Sequence, residues 1–123
     1  MIYGIGIDLI NTQRMKDVID KWGEKFLERV FTEDEIAYCY KRKEPYLSLS
    51  VRFAAKEALI KAMGPEISAS FRDIEILNYD NGKPSIRVKN RLEEFFKEKE
   101  IKHSYLTLSH EKEFSIACVV LER

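Results

Sequence analysis

The first hydrophobic pattern in the chain has a period of two. From Ile2 to Leu9, Tyr3, Ile5, Ile7 and Leu9 fall on one face of an expected strand; Gly4, Gly6 and Asp8 fall on the other. A glycine-lined strand face marks the close approach of another backbone or a ligand, and Asp8 sets a carboxylate at its end. The period then changes. Asn11 or Thr12 can cap a helix carrying Met15, Val18, Ile19 and Trp22, which Gly23 stops. Phe26, Leu27 and Val30 mark a second short helix. Thr32 with Glu35 forms a capping box opening a third, with Ile36 and Tyr40. Pro45 suits the first turn of a fourth, which runs through "RFAAKEALIKAMG" to Gly64-Pro65.

In the second half, Asp73 to Tyr79 reads as a strand, "DNGK" as a turn, and Ser85 to Val88 as its hairpin partner, with Pro84 at the strand's first position. Asn90 starts a helix with Leu92, Phe95 and Phe96 on one side. "HSYLTLSH" and "EFSIACVVLE" form a hairpin across Glu111-Lys112. About five strands and five helices, the helices grouped early, give an α+β class with antiparallel strands packed on helices.

With 123 residues the chain has the length of one domain, 1–123, and at 45% hydrophobic with seven Phe and six Tyr it can bury a core. Lys+Arg 21 against Asp+Glu 21 leaves no formal net charge. That argues against a general nucleic-acid binder, which needs a basic excess over phosphate, and leaves room for a local basic patch. Cys39 and Cys118 sit in apolar runs without metal-ligand spacing and read as two reduced core thiols. The N-terminus shows no signal-peptide pattern, and no apolar run approaches the roughly 20 residues that span a bilayer. A cytoplasmic protein is expected.

Glu57 is the conspicuous residue of the fourth helix. Nearly the whole circumference there is small or apolar, with charge only at Arg52, Lys56, Glu57 and Lys61, so the helix is expected to be mostly buried. A buried carboxylate needs a partner or a cation. Lys61, four residues on, offers an ion pair along the helix, so a plain surface pair is one reading. Asp8, likewise, could simply lead into the cap at Asn11. Taken together, the two carboxylates describe an oxygen-ligand Mg²⁺ site that leaves room for phosphate oxygens; spacing alone does not bring them into contact. Arg52, Lys83 in "NGKP", and Ser109 with His110 before a tight turn could serve a phosphate-bearing ligand, whereas His103 reads as structural. The glycines of "GIGIDL" make neither a dinucleotide fingerprint nor a P-loop. Arg14, Lys21 and Lys25 fall near one face of the early helices, with Lys16, Arg29 and Lys41 to Lys43 nearby. Interspersed acids allow a plain solvated surface; the sharper reading is a docking strip for an acidic partner.

At these residues the chain resembles holo-[acyl-carrier-protein] synthases, the phosphopantetheinyl transferases of bacterial fatty acid synthesis. The likeness rests on "GIGIDLI" with Arg14 downstream, "FTEDE", "RFAAKEALIKAMG", "FRDIEI", "NGKPSI" and "LSHEKEFSIACVVLE", in order over nearly the whole chain. The resemblance implies the phosphopantetheinyl transferase fold and a homotrimer with sites between subunits. It implies transfer of the 4′-phosphopantetheine arm of coenzyme A to a serine of apo acyl carrier protein, with Mg²⁺ on Asp8 and Glu57. Lys61 would hold phosphate oxygens; Arg52, Ser109, His110 and the turn residues Gly82, Lys83 and Pro84 fall on the family's CoA-contacting segments. Arg14 and its basic neighbours Lys21 and Lys25 match its carrier-docking helix. In one place the chain departs from the family: "GPEIS", Gly64 to Ser68, stands where a Gly-Thr-Gly is common. Pro65 restricts φ there and Glu66 adds charge, which puts the loop's CoA contacts in question. A transferase serving peptide or polyketide carriers, and a non-catalytic CoA- or nucleotide-binding trimer, are the alternatives.

Overall fold

The computed structural model describes residues 1–123. In chain order the elements are β1 (Ile2–Asn11), α1 (Thr12–Trp22), α2 (Glu24–Val30), α3 (Glu33–Tyr40), α4 (Pro45–Met63), a 3₁₀ turn (Phe71–Asp73), β2 (Ile74–Asn78), β3 (Pro84–Val88), α5 (Arg91–Glu98), β4 (His103–His110) and β5 (Phe114–Glu122). This is the expected α+β arrangement.

Local chemistry accounts for most of the boundaries. Asn11 Oδ1 accepts from the Arg14 N–H at 3.1 Å, capping α1. Thr32 Oγ1 accepts from the Glu35 N–H while Glu35 Oε1 accepts from the Thr32 N–H, so the capping box of α3 is complete. Pro45 occupies the first turn of α4, and Gly64 ends it at φ +86°. Asn90 precedes α5 without capping it through its side chain; its Nδ2 donates instead to Asp73 Oδ1.

Strands β1, β5 and β4 form an antiparallel sheet in that order, and β2 and β3 form a separate hairpin. Helix α4 lies on the inner sheet face, where Ala54, Ala55, Ala58 and Ala62 meet Ala117, Val119 and Leu121. The approach is closest at β1. A Cβ on Gly6 would stand 1.8 Å from the Ala58 carbonyl oxygen, and one on Gly4 would stand 2.0 Å from that of Ala62. The glycine face of the first strand therefore receives another backbone, as its pattern suggests. A second, smaller core gathers Met15, Ile19, Leu27, Val30, Phe31, Cys39 and Leu49 beneath α1 to α3.

The other sheet face carries no covering element within the chain. Ile5, Ile7 and Leu9 are 59%, 55% and 61% exposed there. Two expectations change as a result. Tyr3 does not share the face of Ile5 and Ile7: an irregularity in pairing between Ile2 and Gly4 turns its ring edge-on to Phe95 in the core. Cys118 is not a core thiol. It pairs in register with Ile7 and Thr107 on the uncovered face and is only half-buried, whereas Cys39 is fully buried.

Candidate active site

The site residues fall into two groups on one chain. The first is acidic. Asp8 leaves β1 three residues before the α1 cap, on the face that packs on α4. There the Lys61 ammonium donates to Asp8 Oδ1 at 3.1 Å and to the Ile7 carbonyl at 2.9 Å. Lys61 thus bridges to the strand, and the pair along the helix with Glu57 is not what forms. The helix pattern points to the nearest partner on the same helix; the glycines of β1 bring a better one from 53 residues away. Glu57 stands one turn before Lys61 on the same side of α4. Burial, first, and then the negative charge of Asp8 push its carboxyl above the ordinary range, while Lys61 pulls it back. Two carboxylates from remote segments therefore share one patch, and the charge of Asp8 adds to the cost of ionising Glu57.

The second group lines an open groove of about 800 Å³ between the α3–α4 connection, the β2–β3 turn and the end of β4. Arg52, Gly82, Lys83, Pro84 and His110 all border it. Arg52 is held in place: Nη1 donates to Ser48 Oγ at 2.9 Å, Nη2 donates to Asn78 Oδ1 at 2.7 Å, and the guanidinium lies 4.3 Å from the centroid of the Tyr38 ring. Its Nε is buried without a partner, a donor left over in a cationic groove. Lys41, Arg42 and Lys43 border the same groove, so the "KRK" run sits here with Arg52, and Lys43 also borders a second cleft beside Lys16 of α1. Tyr38 and Asn78 had no signal in the sequence; only the folded arrangement brings them to Arg52. Ser109 points away from the groove, because neighbours on a strand face opposite sides: it lies with Ile116 on the uncovered sheet face. His103 is exposed beside Tyr105, apart from both groups.

Arg52 and Glu57 are five residues apart on α4, about 140° around its axis. Asp8 and His110 lie on the two outer strands of the sheet, β1 and β4, with β5 between them. The acidic group and the cationic groove thus open on different sides of the molecule. Arg14, Lys21 and Lys25 are exposed on α1 and α2, and α1 continues directly from the strand that carries Asp8. In the departing loop, Glu66 is tied down: Lys99 at the end of α5 meets its carboxylate at 2.7 Å.

Donor chemistry at the acidic patch suits Mg²⁺. Two carboxylate oxygens from opposite elements, with no cysteine or histidine beside them, are hard ligands with positions left open. A divalent cation would also relieve the mutual repulsion now offset by Lys61.

Comparison with known proteins gives the same direction. Residues 4–119 match the 4′-phosphopantetheinyl transferase superfamily. A holo-[acyl-carrier-protein] synthase of Halothermothrix orenii is 45% identical, over 99% of this chain and 98% of that protein. The crystal structure of the synthase from Neisseria meningitidis superposes with a TM-score of 0.93 at 36% identity, covering all of both chains. A Bacillus anthracis synthase solved in complex with CoA (3′,5′-ADP) gives 0.81 at 39% identity, over 98% of this chain and 96% of that one. The chain belongs to the 4′-phosphopantetheinyl transferase superfamily.

Proposed function

We propose that this chain transfers the 4′-phosphopantetheine arm of CoA to a serine hydroxyl of apo acyl carrier protein. The serine oxygen forms a bond to the pantetheine-side phosphorus of CoA. The bond from that phosphorus to the bridging oxygen breaks, adenosine 3′,5′-bisphosphate leaves with the electron pair, and the serine proton passes to solvent or a nearby base. The observation that carries this reading is the meeting of Asp8 and Glu57 on one patch in a chain of this family.

Asp8 and Glu57 would hold Mg²⁺, which when bound neutralises diphosphate charge and aligns the reacting groups. Lys61 is half-exposed and rests on Asp8; with that carboxylate given to a cation, its ammonium would be free to turn to a phosphate oxygen. Arg52, Arg42 and Lys83 give a fixed positive field that suits the phosphates of the nucleotide end. Tyr38 and Asn78 hold the Arg52 guanidinium so that little orientation entropy is lost on binding. Arg14, Lys21 and Lys25 offer an acidic carrier a docking strip whose helix leads straight from Asp8.

Because the two half-sites open on different sides of one chain, the complete site joins the acidic patch of one subunit to the groove of the next. The uncovered apolar face of Ile5, Ile7 and Leu9 supports a homotrimer that buries it. No helix is long and apolar enough to cross a membrane; a cytoplasmic place in fatty acid synthesis is part of the proposal and rests on the resemblance to the synthases.

The direct test is the mass of the carrier. Incubation with CoA, Mg²⁺ and apo acyl carrier protein should add one phosphopantetheine group, and EDTA should prevent it. An unchanged carrier with folded enzyme sinks the reading; CoA binding without transfer would leave the non-catalytic alternative. Rates on peptide or polyketide carriers, compared with the fatty-acid carrier, define the partner.

A further inference from the structure

Lys56 is a buried cation with no part in the chemistry described so far. It sits on α4 one turn after Arg52, on the same side, and its side chain is 0% exposed. All three ammonium hydrogens have acceptors: the Val30 carbonyl at 2.6 Å, Glu35 Oε1 at 2.6 Å and the Phe71 carbonyl at 3.1 Å. Glu35 is saturated in turn, since its Oε2 accepts from the Ile76 N–H at 3.0 Å. Ile76 lies on β2, two residues before Asn78, the residue that Arg52 grips. Asn78 Nδ2 then donates to the Gly82 carbonyl in the turn at 3.2 Å.

The hairpin is therefore fastened to α4 at two points. One is direct, from Arg52 to Asn78. The other runs from Lys56 through Glu35 to the backbone of β2. One fastening alone would leave a pivot; two set an angle. That angle fixes how far the turn bearing Gly82, Lys83 and Pro84 stands from the α3–α4 connection across the groove. A buried ion pair adds little stability over an apolar pair of the same volume, so its specific geometry is the stronger reason for its presence.

We propose that Lys56 is a positioning residue for the cationic groove: through Glu35 it sets the orientation of the β2–β3 hairpin, and so the affinity for the nucleotide end of CoA. The inference rests on the reading of the groove as the CoA half-site. It predicts a defect in nucleotide binding, where a purely structural role predicts only lost stability.

The test is calorimetric titration of 3′,5′-ADP into wild-type protein and Lys56→Met, with turnover measured over a range of CoA. Affinity should fall about tenfold or more, and KM for CoA should rise in step, with kcat changing by less than about threefold. A folded Lys56→Met protein with wild-type affinity and KM overturns the proposal. If that variant does not fold, Lys56→Met with Glu35→Gln removes both charges together and carries the same expectations. Hydrogen exchange needs neither variant nor ligand: in the wild-type protein the Ile76 amide should be as protected as the centre of α4. An Ile76 amide that exchanges like the exposed turn at residues 79–83 also overturns it. Wild-type protein that binds neither CoA nor 3′,5′-ADP would remove the functional reading, while the exchange result would still judge the fastening.

Discussion

At the scale of single residues, two kinds of position decide whether the site exists. The first kind holds it together from outside. Gly6 lets β1 touch the backbone of α4, and this contact carries Asp8 to Glu57. A Gly6→Ala methyl would lie 1.8 Å from a main-chain oxygen that has nowhere to go. We expect a loss of about 3 kcal/mol or more, or no folded protein at all, read as the urea midpoint. The second kind carries the proposed chemistry. Glu57→Gln keeps the shape and removes the charge. Turnover in the carrier mass assay should fall by about 100-fold or more with an unchanged melting temperature. Wild-type turnover in that variant would show Glu57 to be a bystander. The sequence made Asp8 and Glu57 visible as candidates because carboxylates on a glycine strand and an apolar helix are costly without a purpose. It could not show the partner of Lys61, because a helical wheel sees only its own helix.

Elements are held by caps and by one buried polar seam. The caps were legible: a Thr–Glu box, a proline in a first turn and a glycine stop each act within four residues. The seam was not, because Glu35, Lys56 and Glu75 come from three elements, and no local pattern shows that the cap residue Glu35 also reaches Lys56 and the Ile76 amide. Glu75 on β2 shows how the seam responds to acid. Burial pushes its carboxyl up, but the hydrogen bonds from the Thr32 hydroxyl and Arg87, together with the Lys89 charge, outweigh this and hold it below its ordinary value of 4.5. A lowered carboxylate contributes stability above its unfolded value, and that contribution is lost as pH falls through the folded one. The wild-type protein should therefore be more stable than Glu75→Gln at neutral pH, and the difference should shrink as pH drops below 4.5. Melting curves across pH check it, and a difference that grows in acid would contradict it. The Glu66–Lys99 pair is another matter. Its Glu66 side is exposed to solvent, so Glu66→Ala should change stability by less than about 1 kcal/mol.

For the molecule as a whole, the separation of the two half-sites governs the expectations. The sheet leaves Ile5, Ile7 and Leu9 in water while α4 is buried, an arrangement suited to a neighbour of the same kind. Periodicity placed these residues together on a face, but the choice between core and interface depends on which side α4 covers. Ile7→Glu should shift the protein toward monomer in sedimentation, with transfer activity lost in parallel. Mixed assembly gives a sharper check. Asp8→Ala damages only the acidic patch, and Arg52→Ala only the groove. Each variant alone should be inactive. Unfolded together in equal amounts and reassembled, they should regain about one site in four, the statistical share of intact pairs around a ring. No recovery would mean that a single chain supplies both halves.

Central to all of this is the proposal that two acids which the fold brings together hold one cation. Calorimetric titration of Mg²⁺ in the presence of CoA measures that directly. Wild-type protein should bind one ion per site, and Asp8→Ala and Glu57→Ala should each weaken binding about tenfold or more. Wild-type Mg²⁺ affinity in both folded variants would contradict the account.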